Sequence, residues 1–226
     1  MFLKLLFGSP AVAIVWIVAI AISLTIHEFS HALVGKLRGD STAEREGRLT
    51  LNPIAHIDPM GFLLLLLFGF GWAKPVPYNP YNLKNQKWDS VAIALAGPCS
   101  NLILASVSAL LFRILVGTGT ISGFNLLAVF LFLTIMLNLF LLFFNVIPVH
   151  PLDGSKLFFA LFDHPKHAAL RHVVALRGPQ ILMIAVLVSA FTSLNIFFFI
   201  SAPAFAFCDA LLGHSCSTYF SLVMGG

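Results

Sequence analysis

The sequence predicts an all-α, polytopic membrane protein with about five to six transmembrane or re-entrant helices and a small membrane-associated β element. The first reason is composition: 59% of the 226 residues are hydrophobic and only 10% are charged. The mean hydropathy of +0.96 lies far from the balance of a soluble globular domain. The second reason is arrangement, because long apolar segments alternate with short polar connectors. We therefore expect a lipid bilayer to surround most of the chain.

Four apolar segments are long enough to cross a bilayer. A hydrocarbon core about 30 Å thick requires roughly 20 helical residues. The segments that meet this requirement are 10–34, 90–116, 125–147 and 178–202. No repeat or Pro/Ser-rich linker divides the sequence, so residues 1–226 are expected to form a single integral membrane domain.

A fifth apolar stretch, residues 61–72, is too short for a simple span. It supplies only about a dozen apolar positions and carries glycines, which favours a re-entrant or steeply buried element. Residues 203–226 have mixed polarity and could hold a short helix. Cys208 and Cys216 in this last stretch could form a disulfide if they face an oxidising compartment.

Positive charge is concentrated in three of the connectors, whereas the connector at 117–124 carries no charge. The basic residues concerned are Lys36, Arg38, Arg45, Arg48, Lys74, Lys84, Lys87, Lys166, Arg171 and Arg177. The positive-inside rule therefore places these three connectors in the cytoplasm, provided that 61–72 enters and leaves on one side. The 13 basic residues form no continuous stripe, so the net charge of +4 does not indicate a nucleic-acid partner.

The most informative polar group in the apolar segments is His27-Glu28-x-x-His31. Ionisable side chains are costly inside a bilayer and mark functional sites. Residues i and i+4 share one face of a helix, so both imidazoles can bind one zinc ion with Glu28 beside its open position. A carboxylate at that place can act as a general base. Two intramembrane histidines can also simply hydrogen-bond across helices, but this spacing is expected by chance only about 0.004 times in such a chain.

A catalytic zinc site normally has three protein ligands, so a third must come from elsewhere. The candidates at similar depth are Asp153, His150 and His56, with Asp58 and Asp163 less well placed. Asp153 lies in "NVIPVHPLDG" (145–154), where Pro148 and Pro151 must break the preceding helix. Broken backbone at membrane depth is tolerated only where it is buried in protein or lines a cavity, and an aspartate there suits a metal.

HEFSH at 27–31, followed by Asn145-x-x-Pro148-x-x-x-x-Asp153-Gly154, resembles the signature of the site-2 protease family of intramembrane zinc metalloproteases. That signature is H-E-x-x-H followed by N-x-x-P-x-x-x-x-D-G, and this sequence matches every defining position. "GPCSN" (97–101), "LNPIAHIDPMG" (51–61) and "GWAKPVP" (71–77) look like the compact prokaryotic members without a PDZ or CBS module. The similarity spans about residues 10–160.

The resemblance implies one zinc ion per chain, held by His27, His31 and Asp153. Glu28 would be the catalytic base and acid. Asn145, the other expected catalytic residue, would hold the substrate backbone or stabilise the developing oxyanion.

Two further polar residues keep two interpretations each. Asn101 and His56 could contact substrate, or they could hold helices and a loop together by hydrogen bonds. His150 could compete with Asp153 for the metal.

A substrate clamp is expected near the site. Residues 47–54 alternate polar and apolar side chains in part, and the resemblance implies a membrane-inserted β element whose edge pairs with an unwound substrate. We predict that 47–54 with 61–78 forms it. Trp72 and Lys74 could instead anchor a hairpin at the membrane interface.

The function predicted from these observations is hydrolysis of a peptide bond within or near a transmembrane segment of a substrate protein, as in regulated intramembrane proteolysis. The enzyme would be a multi-pass protein of a prokaryotic cell membrane with its active site near the cytoplasmic side. A metal-ion transporter would not need a glutamate between the histidines, and paired broken helices are not evident in the sequence. A catalytically idle homologue that binds membrane proteins is the other alternative. Zinc proteases that act on prenylated C-termini lack the Asp-Gly motif.

Overall fold

The computed structural model describes residues 6–68, 71–192, 194 and 196–224, and its regular structure is helical. The helices in chain order are α1 (Pro10–Leu37), α2 (Thr42–Arg45), α3 (Pro59–Phe68), α4 (Gln86–Gly117), α5 (Leu126–Asn145), α6 (Gly154–Leu161), α7 (Ala168–Phe191), α8 (Phe198–Leu212) and α9 (Cys216–Met224). Short 3₁₀ turns occur at Pro53–Ala55, Pro80–Asn82 and Pro165–His167.

Four described helices are long and apolar enough to cross a membrane: Pro10–Leu37, Gln86–Gly117, Leu126–Asn145 and the stretch Pro165–Ser189. The count becomes five if α8 and α9, which meet at an angle of 104°, form one broken span. The chain is therefore an integral membrane protein by length and composition. The predicted segments 10–34, 90–116 and 125–147 coincide with α1, α4 and α5 to within a few residues.

The predicted segment 178–202 is wrong at both ends. The helix α7 begins ten residues earlier, at Ala168, and ends at Phe191, where Thr192 adopts an extended conformation. Hydropathy located the apolar centre but excluded Arg171 and Arg177, which lie on the helix itself. Long basic side chains can keep their charged ends in water while their stems lie along an apolar helix, so charge alone did not mark the helix end.

The centre of the bundle is formed by α1, α4 and α5, with α8 packed against α5. Small side chains make these contacts close: Ala13, Ala19, Ala105, Ala128 and Ala204 are completely buried or nearly so. Helices in a bilayer gain little from the hydrophobic effect and associate through such close packing. In contrast, only 6% of the membrane-spanning window of α7 is buried.

The short apolar stretch forms α3, whose ten residues reach about 15 Å, roughly half of a hydrocarbon core. An isolated antiparallel bridge between Ile57 and Ala73 joins the two flanks of α3. The chain also crosses itself closely, since a Cβ on Gly71 would lie 2.1 Å from the carbonyl oxygen of Gly61. This arrangement agrees with the prediction of a re-entrant element.

The predicted β element is not supported, because the described residues contain no strand. Residues 47–54 contact the segment after α3 through the side chain of Arg48. This buried side chain donates hydrogen bonds to the carbonyl oxygens of Lys74 and Pro75. Pro53 begins a 3₁₀ turn, and a proline lacks the amide hydrogen that a ladder requires. The alternating polarity does not mark a buried face, because Arg48 is buried whereas Leu51 and Ile54 are exposed.

The end of α1 is fixed to the connector before α4 by Asp40, which is buried. Its carboxylate accepts hydrogen bonds from the side chains of Thr42 and Asn82 and from the amide of Asn79. Burial disfavours the charged form, but these hydrogen bonds outweigh it and hold the pKa of Asp40 below its ordinary value.

The helices α8 and α9 are joined by a disulfide between Cys208 and Cys216, the pairing that the sequence left open. Gly213 takes the left-handed conformation at the end of α8, with φ of 77°. The amide of Cys216 donates to Asp209. The side chain of Arg113 near the end of α4 donates to the carbonyl oxygen of Leu211, which places this corner beside the uncharged connector.

Candidate metal centre

The helix α1 directs the three polar residues of its motif into the bundle. His27, Glu28 and His31 are each less than 10% exposed, although they lie in a helix with many lipid-facing positions. The spacing of four residues places both imidazoles on the face that contacts α4 and α5.

Asp153 joins the two histidines from a distant part of the chain. The Nε2 atoms of His27 and His31 are 3.0 Å apart. The Oδ2 atom of Asp153 lies 3.3 Å from Nε2 of His27 and 3.4 Å from Nε2 of His31. Among the residues that the structure describes, these three form the group of side chains that could hold a metal ion.

The hydrogen bonds made by Nδ1 determine the tautomer of each histidine. Nδ1 of His31 lies 2.7 Å from the carbonyl oxygen of Ile93, an atom that can only accept, so Nδ1 carries the hydrogen. Nδ1 of His27 lies 2.6 Å from the side-chain oxygen of Asn101 and donates likewise. In its neutral form, each imidazole therefore presents the lone pair of Nε2 to the centre.

The orientation of Asn101 is itself fixed by a chain of hydrogen bonds. Its Nδ2 donates to Oδ1 of Asn138 at 2.7 Å. Asn138 in turn donates to Oγ of Ser23 and to the carbonyl oxygen of Thr134. Because that carbonyl can only accept, each amide in the chain has one possible orientation, ending with the Nδ1 hydrogen of His27.

The donor set fits a zinc ion. Three lone pairs converge within 3.4 Å of one another, and Oδ2 of Asp153 is buried without a hydrogen-bond donor. One cation at the centre satisfies all three atoms at once, whereas neutral imidazoles leave them repelling each other. Zinc binds nitrogen and oxygen at about 2.0–2.2 Å, so tetrahedral ligands lie roughly 3.3–3.5 Å apart. The observed spacing is close to that value.

The turn that carries Asp153 is built for close packing. A Cβ on Gly154 would lie 2.1 Å from the carbonyl oxygen of Val146, so the turn after α5 requires glycine there. The hydroxyl of Ser155 donates to the carbonyl oxygen of Leu152. The following helix α6 packs against α4, which brings Asp153 towards the histidines.

A cavity of about 470 Å³ opens in front of the three donor atoms. Glu28, Asn145 and Lys156 contribute polar or charged groups to its wall, and Trp72 and Leu182 contribute apolar ones. Oriented polar groups in a partly apolar cavity are typical of an enzyme site.

Comparison with known proteins agrees with this geometry. Residues 114–192 match the family model described as Peptidase family M50. The chain is 42% identical over 144 residues to "Putative zinc metalloprotease YwhC" of Bacillus subtilis, covering 62% of this chain and 66% of the relative. It is 31% identical over 153 residues to "Putative zinc metalloprotease MJ0611" of Methanocaldococcus jannaschii, covering 66% of this chain and 71% of the relative.

The chain belongs to peptidase family M50. A third relative, "Putative zinc metalloprotease Rip2" of Mycolicibacterium smegmatis, is 36% identical over 88 residues, which are 37% of this chain and 34% of that protein. The M50 chain thus spans just under two thirds of the Bacillus relative and about a third of the mycobacterial one. No solved structure matches it.

The predicted site residues of this M50 protein fall into two places. His27, Glu28, His31, Asn145 and Asp153 all line the cavity. Asn145 also donates from Nδ2 to the carbonyl oxygen of Leu141 at 3.0 Å.

The two predicted substrate contacts lie elsewhere. Asn101 is completely buried behind His27 and His56 is 1% exposed, and neither residue lines the cavity. Nε2 of His56 lies 2.8 Å from the carbonyl oxygen of Thr50, so His56 holds its own loop. A substrate cannot reach either side chain as placed. His150 is also outside the group of metal-binding side chains.

Sequence reasoning missed Asn138 and the role of Gly97. Asn138 is an amide in the middle of an apolar helix, seven residues before Asn145 and therefore on the same face, which is the signal that could have found it. A Cβ on Gly97 would lie 2.4 Å from Nε2 of His31 and 2.6 Å from Nε2 of His27. Glycine at this position lets α4 approach the metal centre.

We predict that Gly97→Ala removes most of the zinc from the purified M50 protein, because the added methyl group displaces both imidazoles. Gly117→Ala in the same helix is the matched control, since a Cβ there meets nothing within 4 Å. Zinc per chain is measured by plasma mass spectrometry, and circular dichroism checks that both variants are helical. Full zinc occupancy in Gly97→Ala would contradict the close approach of α4.

We also predict that Asn138→Leu weakens zinc binding by about 10–100-fold, the usual effect of removing a group that orients a metal ligand. Without Asn138, Asn101 is free to rotate and no longer fixes the hydrogen on Nδ1 of His27. Thr134→Val is the control, because that buried hydroxyl donates only to Phe130 one turn earlier. Competition with a fluorescent chelator measures the zinc affinity. Equal zinc affinities for the two variants would exclude the proposed role of the hydrogen bonds that run from Asn138 through Asn101 to His27.

Proposed function

We propose that this M50 protein is an intramembrane zinc metalloprotease that hydrolyses a peptide bond within or near a transmembrane segment of another membrane protein. The single observation that carries the proposal is the convergence of three potential metal-donor atoms beside Glu28, in a cavity between helices able to cross a bilayer. The names of the relatives as zinc metalloproteases support it.

His27, His31 and Asp153 are the proposed ligands. A zinc ion held by them would supply a Lewis acid that polarises the scissile carbonyl and makes a water molecule acidic near neutral pH. All three side chains face the cavity, where Glu28 forms part of the wall.

Glu28 is the proposed proton carrier. Its carboxylate accepts a proton from the attacking water and later gives that proton to the departing amine nitrogen, so the residue ends the cycle in its starting state. A carboxylate is suited to this exchange when it is held beside the reacting atoms and away from bulk water. Glu28 meets both conditions, because it is 8% exposed and lines the cavity.

Asn145 is the proposed contact for the substrate backbone. Its Nδ2 carries two hydrogens and donates one to Leu141, which leaves a second donor and the side-chain oxygen for a peptide group in the cavity. A peptide inside a helix has its donors and acceptors already paired, so the substrate must unwind before such contacts form.

The metal centre is proposed to lie towards the cytoplasmic side. Ile93, which positions His31, is seven residues or about 10 Å from the start of α4, where the basic connectors meet. The disulfide lies at the opposite end, beside Arg113 and the uncharged connector. Disulfides persist in oxidising compartments, so both signals support the same orientation.

The function is tested with purified protein and a single-span reporter. We expect Glu28→Gln to keep its zinc but to lose cleavage by about 100-fold or more, because the proton carrier is absent. Asp153→Ala should lose both zinc and cleavage. Glu46→Gln neutralises an exposed glutamate and should behave like the wild type. Cleavage by Glu28→Gln at the wild-type rate would exclude Glu28 as the proton carrier and with it the proposed mechanism, and zinc flux in both active-site variants would favour a transporter. A protein that binds the reporter without ever cutting it would be an idle homologue.

The orientation is tested by labelling intact cells with a membrane-impermeant maleimide, after Cys99 is replaced by alanine. We expect Thr120→Cys in the uncharged connector to be labelled from outside, and Lys166→Cys to be labelled only after lysis. Both positions are exposed, so accessibility within the protein does not limit the reaction. The reverse pattern would overturn the proposed orientation.

A further inference from the structure

A second cavity of about 100 Å³ lies beside the proposed active site and has an apolar wall. Three helices contribute apolar side chains to it: Ile20 and Leu24 from α1, Phe62 and Leu65 from α3, and Leu137 from α5. Asp58 is the one charged residue among the described lining, and its Oδ1 accepts a hydrogen bond from the amide of Gly61 at 2.7 Å. We call this space the side pocket.

The side pocket adjoins the larger cavity. Leu24, Trp72 and Leu141 line both spaces, as do Gly71 and Ala73. A substrate lying along the larger cavity can therefore direct a side chain past this shared wall. None of the metal-binding side chains lines the side pocket.

The depth of the side pocket matches a residue close to the scissile bond. Leu24 and Ile20 precede His27 by three and seven residues on α1, which places them about 5 and 10 Å from it along the helix. An extended peptide advances about 3.3 Å per residue. A side chain that enters the side pocket therefore belongs to a residue about one to three positions from the cut.

The size and chemistry of the side pocket favour an aliphatic group. A cavity of about 150 Å³ lined by Leu, Ile and Phe can stay free of water and accept benzene, so one of about 100 Å³ suits a smaller branched side chain. The direction from His27 towards Ile20 leads away from the end of α1 and into the apolar part of the bundle. Substrate residues at that depth are themselves drawn from a hydrophobic segment.

We propose that the side pocket is a specificity site that selects a branched aliphatic residue, such as leucine or valine, within about three positions of the cut. This inference rests on the proposed protease function. The chemistry at Glu28 acts on the peptide group, which is common to all sequences, so discrimination between substrates has to come from side-chain contacts such as this one.

The residue best suited to a test is Leu65. It projects from α3 into the side pocket, whereas Leu63 on the same helix is 47% exposed and lines neither cavity. Leu65→Ala enlarges the side pocket and Leu65→Phe fills it, without touching the metal ligands. Leu63→Ala is the matched control for a leucine lost from the same helix.

The experiment uses the zinc-loaded full chain and a series of reporters carrying Ala, Leu, Phe or Trp at each of the three positions on either side of the cut. We expect the wild type to prefer Leu at one of these positions by about tenfold or more in kcat/KM. Leu65→Ala should shift the ratio of Phe to Leu cleavage by about tenfold towards Phe at that position, and Leu65→Phe should shift preference towards Ala.

The ratio of kcat/KM between two reporters distinguishes a change of specificity from a loss of folded protein. A poorly folded variant cleaves every reporter more slowly by the same factor, so its ratios stay unchanged. Unchanged ratios in both Leu65 variants, equal to those of Leu63→Ala, would overturn the side pocket as a specificity site and would indicate a lipid chain or empty space there. If the zinc-loaded wild type cuts no reporter, the proposed protease function itself is wrong, and the inference that rests on it fails with it.

Discussion

Three lone pairs from two imidazoles and one carboxylate meet at a single point inside this protein, and most of the described fold serves that meeting. A neutral histidine offers a lone pair at Nε2 only if Nδ1 keeps its hydrogen. Ile93 and Asn101 each accept that hydrogen, one with a backbone carbonyl and one with a side-chain oxygen. The proposed metal centre thus depends on atoms of α4 that are not among its three donor atoms, and α4 must lie close enough to α1 to supply them.

Close approach explains why glycine and alanine occur where the helices meet. At Gly97 a side chain would occupy the space of the imidazoles, and at Gly154 it would strike the backbone that leads to Asp153. The completely buried alanines of α1, α4 and α5 allow the same approach along the rest of the bundle. In water, larger apolar residues would add stability at such contacts. In a bilayer they add little, because lipid surrounds an apolar side chain as favourably as a neighbouring helix does. Small residues therefore serve geometry here more than burial.

The parts of this structure that could be predicted are those determined by local spacing. The positions of His27 and His31 follow from the helical repeat, and α1, α4 and α5 follow from apolar segments of the right length. Prediction failed where distant contacts decide. Residues 47–54 form a loop because Arg48 holds the backbone beyond α3, and Asn138 matters only because it faces Asn101 on another helix. The start of α7 was missed because its basic residues lie on the helix.

The polar side chains within the bundle separate into two groups according to their partners. Thr25 and Thr134 donate to the carbonyl oxygen one turn earlier, so their hydroxyls are satisfied within their own helix and require nothing from a neighbour. His27, Asn101 and Asn138 bond from one helix to the next, and each would be left with a buried unpaired group if the helices separated. The second group fixes how α1, α4 and α5 sit together at the depth of the histidines. Its members form one chain that ends at His27, so these polar contacts between the three helices also orient a side chain of the proposed metal site.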